Sequence, residues 1–215
     1  MRKAVTSVPF IFAVALCLSG CMGKVRYPSY YTLSLPTPPD PPVQGTSHAA
    51  LAIREFRAPG YLRQGAIVYR ESPEQVGFYN YHRWAVDPRE FLTNAVADRL
   101  RASGNFAVVK KYDGHSDVDY ILSGRLEKLE EVDYQGGVHV EVAISADMTN
   151  LHTGTTVWTN SVSETGNVVQ RNVPAVVAEM NRTMNRTVEK LLSTLPTSIT
   201  TKETNVSQGN KEYKK

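Results

Sequence analysis

The residue of this sequence best placed for covalent chemistry is Cys21, whose thiol follows the tripeptide Leu-Ser-Gly at 18–20. A short, mostly apolar run at 8–16 precedes them, and the basic pair Arg2 and Lys3 lies near the start of the chain. A charged start, an apolar stretch too short to span a bilayer comfortably and small residues before a cleavage point are typical of a secretory signal. We therefore expect residues 1–20 to be removed and Cys21 to become the first residue of the mature protein.

The Leu-Ser-Gly-Cys ending resembles the bacterial lipobox. In that motif the Cys thiol receives diacylglycerol, the chain is cut before the Cys, and the new amine is acylated. By this resemblance Cys21 is the predicted lipidation site, carrying diacylglycerol and an N-acyl chain. Each buried methylene contributes about 0.8 kcal/mol, and two or more chains anchor a protein stably.

The cysteine count agrees with an acylated Cys21. The other cysteine, Cys17, lies in the segment that we expect to be removed, so no internal disulfide is predicted. Two alternatives remain at this point. One is an ordinary cleaved signal with a cysteine nearby by chance, and the other is an uncleaved N-terminal helix that anchors the chain.

The rest of the sequence shows no assembled catalytic or ligand-binding motif. The five histidines have no metal-ligand spacing on one element: His48, His82, His115, His139 and His152. The sequence lacks Gly-x-Ser-x-Gly, His-Glu-x-x-His and a phosphate-binding glycine loop. His139 and Glu141 share the polar face of a predicted strand, as solvated residues commonly do. We predict no catalytic, cofactor-binding or metal-binding residues, and therefore no enzyme.

Charge and hydropathy narrow the classes of partner. Without Arg2 and Lys3, the mature chain has one more basic than acidic side chain, from totals of 24 and 21. A nearly neutral chain argues against nucleic-acid binding, which favours a basic surface. No second apolar run approaches the roughly 20 residues of a membrane span. The mature chain, about 195 residues long, is large enough for one domain with a real core.

Hydrophobic periodicity predicts the order β-β-β-β-α-β-β-β-β-α. A cap at Asp87, followed by Pro88, begins the first helix, and Gly104 ends it. The eight predicted strands are 30–35, 49–56, 66–70, 75–82, 106–109, 118–132, 138–148 and 156–164, and the second helix is 173–195. Strict alternation at 138–148 indicates an antiparallel pairing with one buried face. The fold class is α/β (α+β), a single domain with a mixed sheet and two main helices packed on it.

The predicted boundaries divide the chain into four parts. The signal, 1–20, is followed at 21–48 by a lipidated tether, the first strand and a proline-rich spacer. The domain spans 49–196 and includes strand 30–35, and the polar tail 197–215 is expected to be disordered.

An aromatic cluster surrounds Arg83 and comprises Phe78, Tyr79, Tyr81 and Trp84. Amphipathic rings suit a membrane-facing or ligand-stacking surface. Core packing of alternate strand residues, with Trp84 at the helix entry, is the simpler interpretation.

Four blocks together resemble the ABC-type transport auxiliary lipoproteins, which include the PqiC-type proteins. They are Tyr-Tyr-Thr-Leu at 30–33, Pro-Gly-Tyr-Leu-Arg-Gln-Gly-Ala-Ile-Val-Tyr-Arg at 59–70, Tyr-His-Arg-Trp-Ala at 81–85 and the helix opening at 87–88. The family often has an acid directly after the Trp-Ala pair, where this chain has Val86.

The resemblance implies a three-layer α/β fold and a periplasmic lipoprotein without ATPase activity. Its partners would be a mammalian-cell-entry (MCE) domain protein and an ABC permease and ATPase. Together they would move lipid or other hydrophobic cargo between envelope membranes. Met22 follows the acylated Cys, whereas Asp at that position commonly retains lipoproteins on the inner membrane, so the periplasmic face of the outer membrane is the expected site. A homo-oligomer is compatible with these expectations.

Two other functions remain open: an independent lipid- or lipopolysaccharide-binding lipoprotein, and an envelope assembly or structural lipoprotein. For a protein partner, the candidate interface is an extended segment from Tyr61 to Tyr69 with Arg63 and Arg70, since Tyr and Arg are favoured at interface centres. The alternative is a strand whose Ile67 and Tyr69 fill the core.

Overall fold

The computed structural model of the protein describes residues 26–36, 49–114, 117–134 and 136–196. The predicted signal, Cys21, most of the proline-rich spacer and the polar tail lie outside the described residues.

The described chain contains eight strands and two α-helices in the predicted order. The strands are β1 (Ser29–Tyr31), β2 (Ala50–Ile53), β3 (Ala66–Arg70), β4 (Gly77–Trp84), β5 (Val108–Lys111), β6 (Tyr120–Val132), β7 (His139–Asn150) and β8 (Thr156–Asn167). Helix α1 (Pro88–Ser103) lies between β4 and β5, and helix α2 (Val173–Ser193) follows β8. The predicted fold class, a single mixed α/β domain, is confirmed.

Strand β6 is the centre of the sheet because it pairs with three other strands. On one side it is antiparallel to β7, which pairs in turn with β8. On the other side its beginning runs parallel to β2 and its end parallel to β3. The sheet therefore divides along β6 into two arms, one formed by β2 and β5 and the other by β3, β4 and β1.

Both helices pack on the same face of this sheet. One hydrophobic cluster joins them to the strands, and it includes Leu92, Val96 and Leu100 of α1, Met180, Met184 and Val188 of α2, and Val140, Val142 and Ile144 of β7. Arg99 of α1 also donates a hydrogen bond to Asn185 of α2, which links the two helices. The three-layer arrangement implied by the family resemblance is wrong for the described chain, which has two layers.

The start and the end of α1 follow the predicted signals. The Asp87 side chain accepts a hydrogen bond from the backbone N–H of Arg89 at 2.9 Å, and Pro88 is the first helical residue. Gly104 ends the helix with φ of 66°, a left-handed conformation that suits glycine. The Arg89 side chain also donates to the Asp87 carboxylate, which lowers the pKa of Asp87 despite its partial burial.

The segment before β3 differs from the extended conformation that the sequence suggested. Residues Gly60–Arg63 form a 3-10 turn, and only Ala66–Arg70 is a strand. The turn carries Tyr61 and Arg63 away from the line of β3.

No helix in the described part of the chain is long and apolar enough to cross a membrane.

Candidate binding surface

The structure separates the four residues of the candidate interface onto different surfaces. Tyr69 and Arg70 are neighbours in β3, so their side chains point to opposite faces of the sheet. Tyr69 is in register with Glu131, and Glu131 with the core residue Val140. Tyr69 therefore lies on the face that carries the helices, and Arg70 lies on the other.

On the face opposite the helices, Arg70 meets Tyr61 and the buried Glu130. The Nε of Arg70 donates to Oε1 of Glu130 at 2.7 Å, and its guanidinium lies 5.8 Å from the centre of the Tyr61 ring. The Tyr61 hydroxyl donates to the carbonyl of Glu127 at 3.3 Å. Burial and the negative charge of Glu130 raise the pKa of the Tyr61 phenol. These contacts hold Tyr61 and Arg70 within the domain, whereas Arg63 is exposed.

On the helix-bearing face, Tyr69 lines an open groove of about 550 Å³. Its other walls include Arg26, Phe78, Tyr79, Glu131 and Asp133. The groove belongs to the arm of β3, β4 and β1, where neither helix makes its main contacts. This placement leaves aromatic side chains of the sheet open to solvent.

The groove wall is a series of adjacent rings. Tyr69 and Tyr79 have ring centres 5.0 Å apart, and His82 meets the edge of Tyr79 at 5.7 Å. His82 also contacts Tyr31, whose hydroxyl lies 3.0 Å from Nδ1 of His82. The aromatic cluster seen in the sequence is thus divided: Trp84 joins the core, as the simpler interpretation held, while its other three rings line the groove.

Glu131 places a buried carboxylate beside this wall. The residue is 6% exposed, and its Oε2 accepts a hydrogen bond from the Tyr79 hydroxyl at 2.8 Å. Within the described part of the chain it has no ion pair. Burial raises the pKa of Glu131, and the neighbouring Asp133 raises it further, with Arg171 acting in the opposite sense. Burial and the same hydrogen bond raise the pKa of Tyr79.

Because its pKa is raised on folding, ionised Glu131 destabilises the fold at neutral pH. We expect Glu131→Gln to raise the melting temperature at pH 7, by about 2 to 4 °C for each kcal/mol gained in a protein of this size. The protonated carboxyl of Glu131 contributes fully to the stability of the fold below the ordinary pKa of 4.5. This stability is lost as the pH rises through the raised pKa of the folded state. The gain should therefore shrink on acidification, which thermal melts between pH 4 and 8 would measure.

Glu141→Gln is the matched control for this stability experiment. Glu141 lies on the neighbouring strand with its side chain on the other face, and it accepts hydrogen bonds from Lys128 at 2.9 and 3.0 Å. Removing that charge breaks an ion pair, so no gain in stability is expected. A lower melting temperature for Glu131→Gln at pH 7 would contradict the destabilising role of Glu131.

The sequence analysis missed the acidic and basic members of the groove, which are Arg26, Glu71, Glu131 and Asp133. A signal for Glu131 did exist, because Glu130 and Glu131 are adjacent in a predicted strand. Alternation must direct one of two adjacent acids toward the core face.

Across the ranges that the structure describes, no three His, Cys, Asp or Glu side chains are placed to hold a metal ion.

Comparison with known proteins identifies a family and a fold. Residues 31–191 match the model of a family described as the ABC-type transport auxiliary lipoprotein component. A solved structure from Xanthomonas campestris, of the family DUF330, has a TM-score of 0.66 and 18% sequence identity, covering 76% of this chain and 92% of that one. Another, described as an uncharacterized protein, has a TM-score of 0.60 and 16% identity, covering 78% and 97%.

At these identities the structural likeness establishes a shared fold alone. No curated protein matches the sequence significantly.

Proposed function

Because this chain belongs to the ABC-type transport auxiliary lipoprotein family, we propose that it is a non-enzymatic, membrane-anchored subunit of an ABC/MCE lipid transport system. The observation that carries the proposal is the family match, which extends over residues 31–191 and so includes all strands from β2 to β8, the whole of α1 and most of α2. The partners would be an MCE-domain protein and the ABC permease and ATPase, which supply the energy of transport.

In this proposal the anchor is an acylated Cys21, and the domain stands on the periplasmic face of the outer membrane. The lipobox-like Leu-Ser-Gly-Cys supports the anchor, and Met22 after the Cys supports the outer membrane. Residues 22–25 separate Cys21 from the first described residue, Arg26. At about 3.3 to 3.6 Å per extended residue, so short a tether holds the domain close to the bilayer.

The proposal is tested by cross-linking in cells and purification of the full-length protein in mild detergent, followed by identification of the bound proteins. We expect an MCE protein, a permease and an ATPase.

The exposed Arg63 allows a test of the candidate interface without disturbing the core, since surface substitutions usually change stability by less than about 0.5 kcal/mol. Arg63→Glu is expected to weaken MCE recovery several-fold if this surface docks the partner.

Arg57→Glu is a suitable control because Arg57 is also an exposed arginine, in the chain segment before the 3-10 turn. Equal recovery with both variants would remove Arg63 from the interface. Recovery of lipid or lipopolysaccharide without any transporter component would instead favour an independent ligand-binding lipoprotein. Recovery of envelope assembly proteins alone would favour the structural role.

A further inference from the structure

We propose that the groove lined by Arg26, Tyr79 and Glu131 binds the phosphoethanolamine headgroup of a lipid in the bilayer that carries the protein. The inference rests on the proposed function, because it takes Cys21 as a membrane anchor. It adds a ligand and a set of residues that would orient the domain on the membrane surface.

The acidic side of the groove is suited to an ammonium group. The Tyr79 hydroxyl donates to Oε2 of Glu131, and within the described ranges the other carboxylate oxygen receives no hydrogen bond. No cation of the described chain lies within ion-pair distance of this 6% exposed residue. A buried carboxylate is stabilised by a hydrogen-bonding cation. A primary ammonium has three donors and would supply one to that oxygen.

The aromatic walls favour the same ligand. The rings of Tyr69 and Tyr79, whose centres are 5.0 Å apart, form a corner beside Glu131, and Phe78 and Tyr81 also line the groove. Ring faces attract a cation that lies within about 6 Å of the ring centre. A compact ammonium can therefore contact the carboxylate and an aromatic face at once.

Arg26 provides the complementary charge for a phosphate. Its guanidinium lies 4.7 Å from the centre of the Tyr81 ring, and it forms no ion pair with any described residue. Planar, forked donors of arginine suit phosphate oxygens. A zwitterionic headgroup therefore matches both sides of the groove. Two alternative ligands fit less well. The basic side chain of a protein would be repelled by the like charge of Arg26, and a phosphoglycerol headgroup has no ammonium group to bind Glu131.

The position of Arg26 places the groove at the bilayer. Arg26 is five residues after Cys21, a distance of at most about 18 Å for an extended chain. The neighbouring Tyr27 and Tyr30 are 80% and 63% exposed. Exposed tyrosines are typical of the membrane–water interface. Continuity of the groove with the chain that leads to the anchor favours a bilayer headgroup as its occupant.

The test uses the full-length acylated protein in detergent micelles. Its probes are the acyl-free headgroups glycerophosphoethanolamine and glycerophosphoglycerol, with tyrosine chemical shifts as the readout. We expect the ethanolamine compound to bind about tenfold more tightly, as the loss of one desolvated cation contact implies. Glu131→Gln and Arg26→Gln should each weaken it about tenfold, whereas Glu141→Gln on the other face should leave it unchanged.

Equal binding of the two probes, or unchanged binding in both groove variants, would overturn the inference. A third result would also overturn the inference: ethylguanidinium binds more tightly than glycerophosphoethanolamine, and Arg26→Gln strengthens the binding of ethylguanidinium. This result would indicate that the groove binds the basic side chain of a protein partner. Arg26 is exposed and lies outside the core, so its variant tests the groove independently of the change in stability that Glu131→Gln causes.

Different measurements test the headgroup inference and the proposed transport function, so one can be wrong while the other holds. Headgroup binding is measured on the isolated protein, whereas the transport role is measured by recovery of the MCE and ABC components. Headgroup binding without those components would overturn the transport role alone. Recovery of the components without headgroup binding would overturn the groove alone.

Discussion

Cys21→Ala is expected to release the protein from the membrane while leaving its domain folded. Acyl chains contribute about 0.8 kcal/mol per buried methylene, so removal of the acylated residue of our proposal would remove essentially all of the membrane affinity of the anchor. The described core is formed by residues between Leu33 and Leu195, so we expect the domain of the variant to remain folded. Membrane fractionation and the intact mass of the protein measure the result.

The cleanest form of this experiment replaces residues 1–20 with a signal peptide that is cleaved without lipidation. The matched control is Cys17→Ala in the natural chain, which should leave anchoring intact because Cys17 precedes the predicted cleavage point. A cleaved Cys21→Ala protein that remains on the membrane without acyl mass would show that another surface holds it there.

Gly124→Ala is expected to destabilise the fold strongly, because the ring of Phe56 occupies the space above Gly124. A Cβ at this position would lie 2.2 Å from Cε1 of Phe56 and 2.5 Å from its Cζ. Phe56 is fully buried, and its backbone N–H donates to Oγ1 of Thr93 in α1 at 3.0 Å. The backbone that follows Phe56 is also held, because the N–H of Arg57 donates to the carbonyl of Gly124 at 2.9 Å.

With both sides of Phe56 held, the ring cannot move away without breaking other contacts. Overpacking of this kind costs about 1 to 3 kcal/mol, which corresponds to a fall in melting temperature of about 2 to 4 °C per kcal/mol. Gly137→Ala is the control, since no heavy atom lies within 4 Å of its added Cβ. Adding Phe56→Leu to Gly124→Ala should restore part of the lost stability, and strictly additive losses would contradict the steric explanation.

Local patterns of the sequence predicted the elements well. The strand Ala66–Arg70 was predicted over its full length, and helix Pro88–Ser103 begins after Asp87 and ends before Gly104 as expected. Caps and two-residue alternation act within a few neighbouring residues, so the sequence displays them directly. The 3-10 turn at Gly60–Arg63 was missed because Tyr61 and Arg63 have no strong local preference against an extended chain.

The candidate binding surface was harder to predict because its members come from distant parts of the chain. Tyr61 and Arg70 converge on Glu130, and Tyr69 faces Glu131 across the same pair of strands. No local pattern specifies that β3 runs parallel to the end of β6. Without that register, adjacent residues of one strand could not be assigned to two different surfaces.

By itself the sequence determined the number, order and type of the elements and the family to which the chain belongs, because these depend on patterns between near neighbours and on ordered motif blocks. The tertiary structure alone decided how β6 joins two arms, why Gly124 must lack a side chain and which rings surround Glu131. Those features depend on contacts between residues far apart in the chain, such as Arg26 with Tyr81 and Tyr79 with Glu131. Such contacts arise only when the sheet is assembled.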